Sequence, residues 1–425
     1  MKTINRNLLS ALCILVMCVN LSCSENELFE LSPNVEESNL SYEKQFKAIW
    51  TAIDLNYPIW DYERDEYGLN WDDIYDEFLP KFREQDSRFK ETGDTACWLS
   101  VQGLYHSLFG KLHDGHINFK IKDVYTGKKA NLVNALDTIR ALSYYFSYLI
   151  QTIKFGYYQN DSTSQYFLKE IKSSSDKLYQ FGHFQGDIIY LHFHHFEMST
   201  LLAKEDRTAE EQSRVGVWKT WFERIQNLHN NGKLKGVILD VRCNPGGIAN
   251  DYQYFLGALH GDIDGSGGVQ TGYRRMKNGI GRYDYKYEYT YTYHPYVKEH
   301  VNVTAPIVVL ADSMSASMAE QTCLAAKKIS NAYVIGTQTF GALSSLAGDE
   351  DVNKDSHFTK FGHIGDPTLS TSSFYIKMPY VAFVTYDGKI IEGKGVEPDE
   401  FVIDNDVNRD KQLEFALDYI NKLNK

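Results

Sequence analysis

The sequence predicts an α/β protein whose core is preceded by a helical domain, and three observations carry that prediction. From residue 186 onward, short apolar runs alternate with helical periodicity: "GDIIYLHF", "VWKTWFERIQNLHNN", "KGVILDVRC", "APIVVLAD", "SMAEQTCLAAKKI" and "AYVIGT". Residues 41–112 instead carry apolar side chains three and four apart, without a strand pattern. The chain has 425 residues, 43% hydrophobic and 24% charged, enough to bury a full core and form more than one domain.

Taken in order, residues 1–23 read as an export signal. Lys2 and Arg6 precede the apolar "LLSALCILVMCV", which is shorter than the roughly 20 residues a membrane-spanning helix needs. The following "NLSCSENE" resembles a bacterial lipoprotein cleavage box with Cys23 as the acylated residue, although Asn20 stands where Leu is usual. The expected location is the cell envelope, lipid-anchored at the outer membrane on its periplasmic or surface face. Residues 24–40 are acidic and polar and suit a tether.

The helical domain is expected over 41–125. Phe46, Ile49, Trp50 and Ile53 mark a first helix, Ile74, Phe78 and Leu79 a second, and "ACWLSVQGLYHSLFGKL" a third. Ile117, Phe119 and Ile121 alternate as in a strand. Residues 126–180 form a connecting segment open to helical or mixed structure, without the Gly-rich carboxylate-binding loop of a PDZ module. The α/β core is expected over 181–425 and closes on the helix "DKQLEFALDYINKL". Within it, tyrosines 283, 285, 287, 289, 291 and 293 alternate, so one uninterrupted strand would turn all six to one face, either packed inward or walling a cleft.

A net charge of −12 argues against a nucleic-acid partner. Once the signal is set aside, Cys97, Cys243 and Cys323 remain, too scattered for a disulfide framework or a zinc site.

Two segments carry chemistry. In "VLADSMSASMAEQ" a serine stands where a strand gives way to a helix, beside free backbone N–H groups and partial positive charge. A nucleophile there can use the next residue's N–H to hold an oxyanion, although a serine before a helix is more often a cap. In "GVILDVRCNPGG" a strand ends at Gly246 and Gly247, whose amides can approach a ligand closely. Ile248 and Ala249 follow, so this is not a phosphate loop, and an oxyanion donor suits it better. His192 and His194 could face a metal from one strand, but partly exposed strand histidines are commoner. The runs 349–355 and 404–410 echo a calcium loop, yet Lys360 and Phe415 stand where its Glu belongs.

"GVILDVRCNPGG", "PIVVLADSMSASMAE", "AYVIGTQTFG" and "IIEGKGVEPDEFV" follow the order found in S41-family peptidases, which include C-terminal processing proteases and the tricorn protease. "FKAIWTAIDLNYPIWDYE" and "LHDGHINF" resemble the helical unit and His-bearing turn of the tricorn-like branch. The resemblance implies a crotonase/ClpP-like core and an S41-type serine endopeptidase acting on peptides or unfolded protein. By position it implies Ser317 as nucleophile, His116 as base and Glu392 as its carboxylate partner, with oxyanion donors at Met318 and at Gly246 or Gly247. Ser315 falls outside the role, and His113 is expected beside the site. Ala342 in "TFGA" replaces the Lys of the processing branch, which excludes a Ser–Lys dyad there. Gly115 replaces the Ser that precedes the histidine in the tricorn protease. No metal or nucleotide is implied. A catalytically inactive peptide- or ligand-binding lipoprotein on the same fold is the alternative, and a hydrolase of non-peptide esters would share the nucleophile.

Overall fold

The structure is a computed structural model describing residues 41–132, 142, 155–248, 251–260, 269–278, 281–293, 300–344, 368–370, 373–379, 381–406 and 408–425. The signal segment with Cys23, the tether and the 349–355 run lie outside the described residues.

Four helices open the described residues: α1 (Tyr42–Asn56), α2 (Trp60–Tyr67), α3 (Trp71–Thr92) and α4 (Cys97–Phe109). Each of the first three has a local reason to begin or end where it does. The Ser41 side chain accepts from Lys44 N–H to cap α1, Asn70 caps α3, and Gly68 ends α2 in the left-handed region at φ 68°. Their apolar stripes meet as the periodicity predicts: Phe46, Ile49, Ile53, Ile74 and Phe78 are buried together, and Phe46 stacks on Phe82 at 4.8 Å. Trp50 is only half-buried, lying parallel to Trp71 at 6.0 Å.

Then come β1 (Asn118–Lys122), β2 (Lys129–Leu132), α5 (Phe155–Tyr158), β3 (Leu168–Ser173), β4 (Tyr179–Phe184), β5 (Ile188–Phe193), α6 (Met198–Ala203), α7 (Ala209–Asn230) and β6 (Gly236–Asp240). The chain continues through α8 (Leu256–Leu259), β7 (Val269–Lys277), β8 (Tyr285–Tyr293), β9 (Ile307–Ala311), α9 (Met318–Ala326) and β10 (Ala332–Gly336). It ends with β11 (Thr368–Ser370), β12 (Phe374–Lys377), β13 (Val381–Thr385), β14 (Glu400–Phe401) and α10 (Lys411–Leu423).

Seven strands form the central sheet in the order β14-β10-β9-β6-β5-β4-β3. From β14 to β5 neighbours are parallel, while β4 and β3 add antiparallel strands. Every residue of β5, β6 and β9 is buried, because helices cover both faces. Alternation divides them: Ile189, Leu191, Val237 and Leu239 pack against Trp221 and Ile225 of α7, whereas Ile188, Tyr190 and Ile238 pack against Leu413, Leu417 and Ile420 of α10. This is the α/β core with a helical N-terminal region that the sequence predicts.

Three features depart from the sequence reading. β1 pairs with β12 as well as β2, with Phe119 opposite Ile376, and Phe374, Ile376 and Met378 join the helical domain's core. The helical domain is thus completed by a late segment of the chain. The run 250–260 makes a 3-10 turn (Asp251–Tyr254) and only a short α8, not one continuous helix. In the tyrosine ribbon, Arg274 faces Tyr289 and Arg275 faces Tyr287, so Glu288 is an extra residue on β8. Such a bulge interrupts the two-residue alternation of the backbone between Tyr287 and Tyr289.

Candidate active site

The site lies where β6 and β9, adjacent and parallel, run out at their carboxyl ends. Asn244 binds the two exiting loops together. Its carbonyl accepts from Ala316 N–H at 2.9 Å, its side-chain amide donates to Phe193 O at 2.8 Å, and its Oδ1 accepts from Gly246 N–H at 2.9 Å.

Ser317 stands at the N-cap of α9 with φ 55° and ψ −114° and is half-buried. This is a backbone conformation that L-residues rarely adopt, and it must be held by its surroundings. Ser315 is different. It is fully buried, its Oγ donates to Val241 O at 2.7 Å and accepts from Asp312 N–H at 2.9 Å, so its hydroxyl closes the turn. The cysteine on the facing loop is no competitor, since burial pushes the Cys243 thiol well above its ordinary range.

Gly246, at φ 98°, explains how the loops come so close. A Cβ there would lie 2.6 Å from Ser317 Cβ and 3.0 Å from Met318 N. Its absence leaves room directly before the first N–H of α9. Because Gly246 N–H already donates to Asn244, its contribution in this geometry is space, not an oxyanion donor. Gly247 bridges Phe196 through bonds made by Gly246 C=O and Ile248 N–H, which turns its own N–H away from Phe196.

Glu320, in the first turn of α9, joins Ser317 to the opposite wall. Its buried Oε2 accepts from Ser317 N–H at 2.9 Å and Ala342 N–H at 2.8 Å, and its Oε1 accepts from Thr339 Oγ1 and Gly341 N–H, each at 2.7 Å. Burial raises its pKa while these donors oppose the rise. The next amides of the same turn, Leu343 N–H (2.8 Å) and Ser344 N–H, donate to Glu392 Oε1. Residues 339–344 therefore connect the serine's helix to the carboxylate.

The structure brings His116 and Glu392 together, with Asp114 beside them: one ligand-type atom from each lies within 4.8 Å of the other two. All three are buried, at 6%, 1% and 8% exposure. His116 N–H donates to Asp114 Oδ1 at 2.8 Å. Burial raises Glu392 well above the carboxylate range, and the charge of Asp114 adds to this. Burial, against the pull of the His116 amide and with a smaller push from the charge of Glu63, brings Asp114 up to about 7.

Helix α2 positions this group. Glu63, fully buried, accepts from His113 N–H at 2.8 Å, meets the His113 ring at 2.8 Å, and accepts from Tyr57 OH at 2.9 Å. Tyr62 and Tyr67 donate to Glu392 O at 2.7 and 3.0 Å, and Tyr67 stacks on His113 at 3.4 Å. Sequence reasoning did not single out Glu63, Asp114 or Asn244. Asp114 had a signal in its place between two histidines of "HDGH", whereas nothing local distinguishes Glu63 from other acidic helix residues.

Gly115 also gains a reason. A Cβ there would lie 2.8 Å from Ala342 Cβ and 2.7 Å from the Phe340 ring, so the glycine and Ala342 fit one another. Gly115→Ala should lower stability by roughly 1–3 kcal/mol through overpacking, measured by urea unfolding.

His192 and His194 do not form the suggested metal pair. His192 is fully buried with its Nδ1 3.9 Å from Asp240 Oδ1, and His194 lies beyond the end of β5. Among the described residues Asp114, His116 and Glu392 are the one trio of metal-ligand types. Burial, then the charges of His192 and His195, push His194 down to about 3. A group whose pKa falls on folding adds stability above its unfolded pKa, and loses that contribution as pH falls through the folded value. His194→Gln should therefore lessen the stability lost between about pH 6.5 and pH 4 by roughly 2 kcal/mol, read from urea midpoints.

Residues 187–402 match the family model for peptidase family S41. A carboxy-terminal-processing protease of Bartonella bacilliformis is 27% identical over 217 residues, which is 51% of this chain and 38% of that protein. This chain therefore spans less than half of that relative's length. Among solved structures, a candidate peptidase from Parabacteroides merdae superimposes with a TM-score of 0.55 at 15% identity, covering 90% of this chain and 97% of that one. Mature CPAF superimposes at 0.51 and 13% identity, covering 90% and 96%. At these identities the likeness is one of fold.

Proposed function

Because the chain belongs to peptidase family S41, we propose that it is a serine endopeptidase working through Ser317, His116 and Glu392. The observation that carries this reading is the strained backbone of Ser317, held against a glycine whose missing side chain opens space before the first amide of α9. A serine that served only as a helix cap would not need positive φ.

In this reading Ser317 Oγ attacks the peptide carbonyl while His116 takes its proton and then delivers it to the departing amine. Water repeats the sequence on the acyl-enzyme, with His116 now activating the water and returning the proton to Ser317. Met318 N–H and Gly247 N–H receive the oxyanion, and the space beside Gly246 accommodates it. Glu392, aimed by the amides of Leu343 and Ser344, steadies the imidazolium. Support for peptides as substrate comes from the family and from the name of the Bartonella relative.

Export and lipid anchoring at Cys23 belong to the same proposal, on the strength of the charged and apolar N-terminal segments before "LSCS". Among the described residues no helix is long and apolar enough to cross a membrane.

A fluorophosphonate probe tests the reading. Labelling should be lost in Ser317→Ala and His116→Ala and kept in Ser315→Ala, provided that variant remains folded. Undiminished labelling of Ser317→Ala overturns the assignment, and a well-folded wild type that neither labels nor cleaves a peptide library favours the binding-protein alternative.

A further inference from the structure

We propose that Asp114, His116 and Glu392 form an inhibitory site for a zinc-class divalent cation. Each carboxylate is held by one oxygen and leaves the other unpartnered. Asp114 Oδ1 takes the His116 amide, and Glu392 Oε1 takes those of Leu343 and Ser344, while Asp114 Oδ2 and Glu392 Oε2 have no hydrogen-bond partner. The side chain of Asp114 is fully buried, that of His116 is 5% exposed, and Glu392 is 1% exposed. Among the described residues no lysine or arginine pairs with either acid.

Two buried carboxyl groups that no lysine or arginine among the described residues pairs with strongly favour an added positive charge. The donor types choose among cations. One imidazole nitrogen and two carboxylate oxygens suit a four-coordinate, borderline ion such as Zn²⁺, with a fourth place for water. Calcium wants six to eight oxygens, and magnesium retains its own waters. Ligand atoms up to 4.8 Å apart require the trio to close by a small side-chain adjustment to reach bonds of about 2.0–2.2 Å. Binding would occupy the imidazole that Ser317 needs, so the ion opposes the reaction. This inhibitory half rests on His116 being the base, while the binding half does not.

The test titrates the full chain, freed of metal, with Zn²⁺ in competition with a chromophoric zinc chelator. Wild type should show one site per chain that millimolar Mg²⁺ or Ca²⁺ does not displace. Asp114→Asn should weaken that site at least about 10-fold, whereas His113→Ala should not, although the His113–Glu63 pair, with its half-buried histidine and buried carboxylate, is the nearest competitor. Should Asp114→Asn fail to fold, as judged by circular dichroism, Glu392→Gln gives the same readout. Absence of a stoichiometric site, unchanged affinity in the folded acid variants, or loss of the site in His113→Ala instead would overturn the proposal. Zn²⁺ should also slow fluorophosphonate labelling of wild type. Zinc binding in a protein that never labels would retain the site and reject only the peptidase reading.

Discussion

Replacing Ser317 with glycine should remove at least about 10⁴-fold of peptide-cleaving activity and at the same time raise stability by about 1 kcal/mol. The two effects have one source. At φ 55° and ψ −114° a side chain strains the backbone, and glycine relieves that strain even after its larger chain entropy is counted. Loss of a serine cap to glycine costs only a few tenths of a kcal/mol, so it does not reverse the sign. Glu320 would still bond the residue-317 amide and keep α9 in place, because that bond uses backbone N–H. Thermal melting and peptide turnover on the same preparation check both halves. A variant that is both less stable and still active would mean that Ser317 is a structural cap.

Arg242→Ala should have the largest effect on folding, a loss of roughly 3–5 kcal/mol. The guanidinium is almost fully buried just past β6. It reaches Asp240 Oδ1 at 2.8 Å, Asp410 Oδ1 and Oδ2 at 2.7 and 2.8 Å, and Gln412 Oε1 at 3.1 Å. Burial would raise Asp240, yet the charge of Arg242 holds it well below the usual carboxylate range. Asp410 also caps α10 by accepting from Leu413 N–H at 2.9 Å. Without the arginine, two buried carboxylates lose their countercharge and the sheet loses its ionic tie to the start of that helix, leaving the apolar packing. The same residue leads into the loop bearing Gly246 and Gly247, so surviving folded protein should also label more slowly with a fluorophosphonate. A loss below about 1 kcal/mol by urea unfolding would show that water replaces the guanidinium.

The amino-acid sequence by itself determined the layered core, because that information is periodic and local. Alternate residues of the strands at 188–193 and 236–240 are apolar on both faces, which specifies buried strands with helices on either side. A serine before the helix and the paired glycines were legible as strand-end patterns, whereas the choice of Ser317 among its neighbours came from the resemblance to S41 peptidases. The tertiary structure alone decided the rest. Glu63 gains its role by meeting His113, and Tyr62 reaches Glu392 across 330 positions, contacts no local pattern encodes. Between Gly246 and Gly247, only the direction of each amide separates a hydrogen bond inside the loop from one aimed outward. The tyrosine alternation could not disclose the extra residue between Tyr287 and Tyr289, because a bulge in the ladder leaves composition unaltered. Periodicity records which side of an element is dry, whereas a catalytic constellation depends on angles and separations that exist only once distant elements have packed.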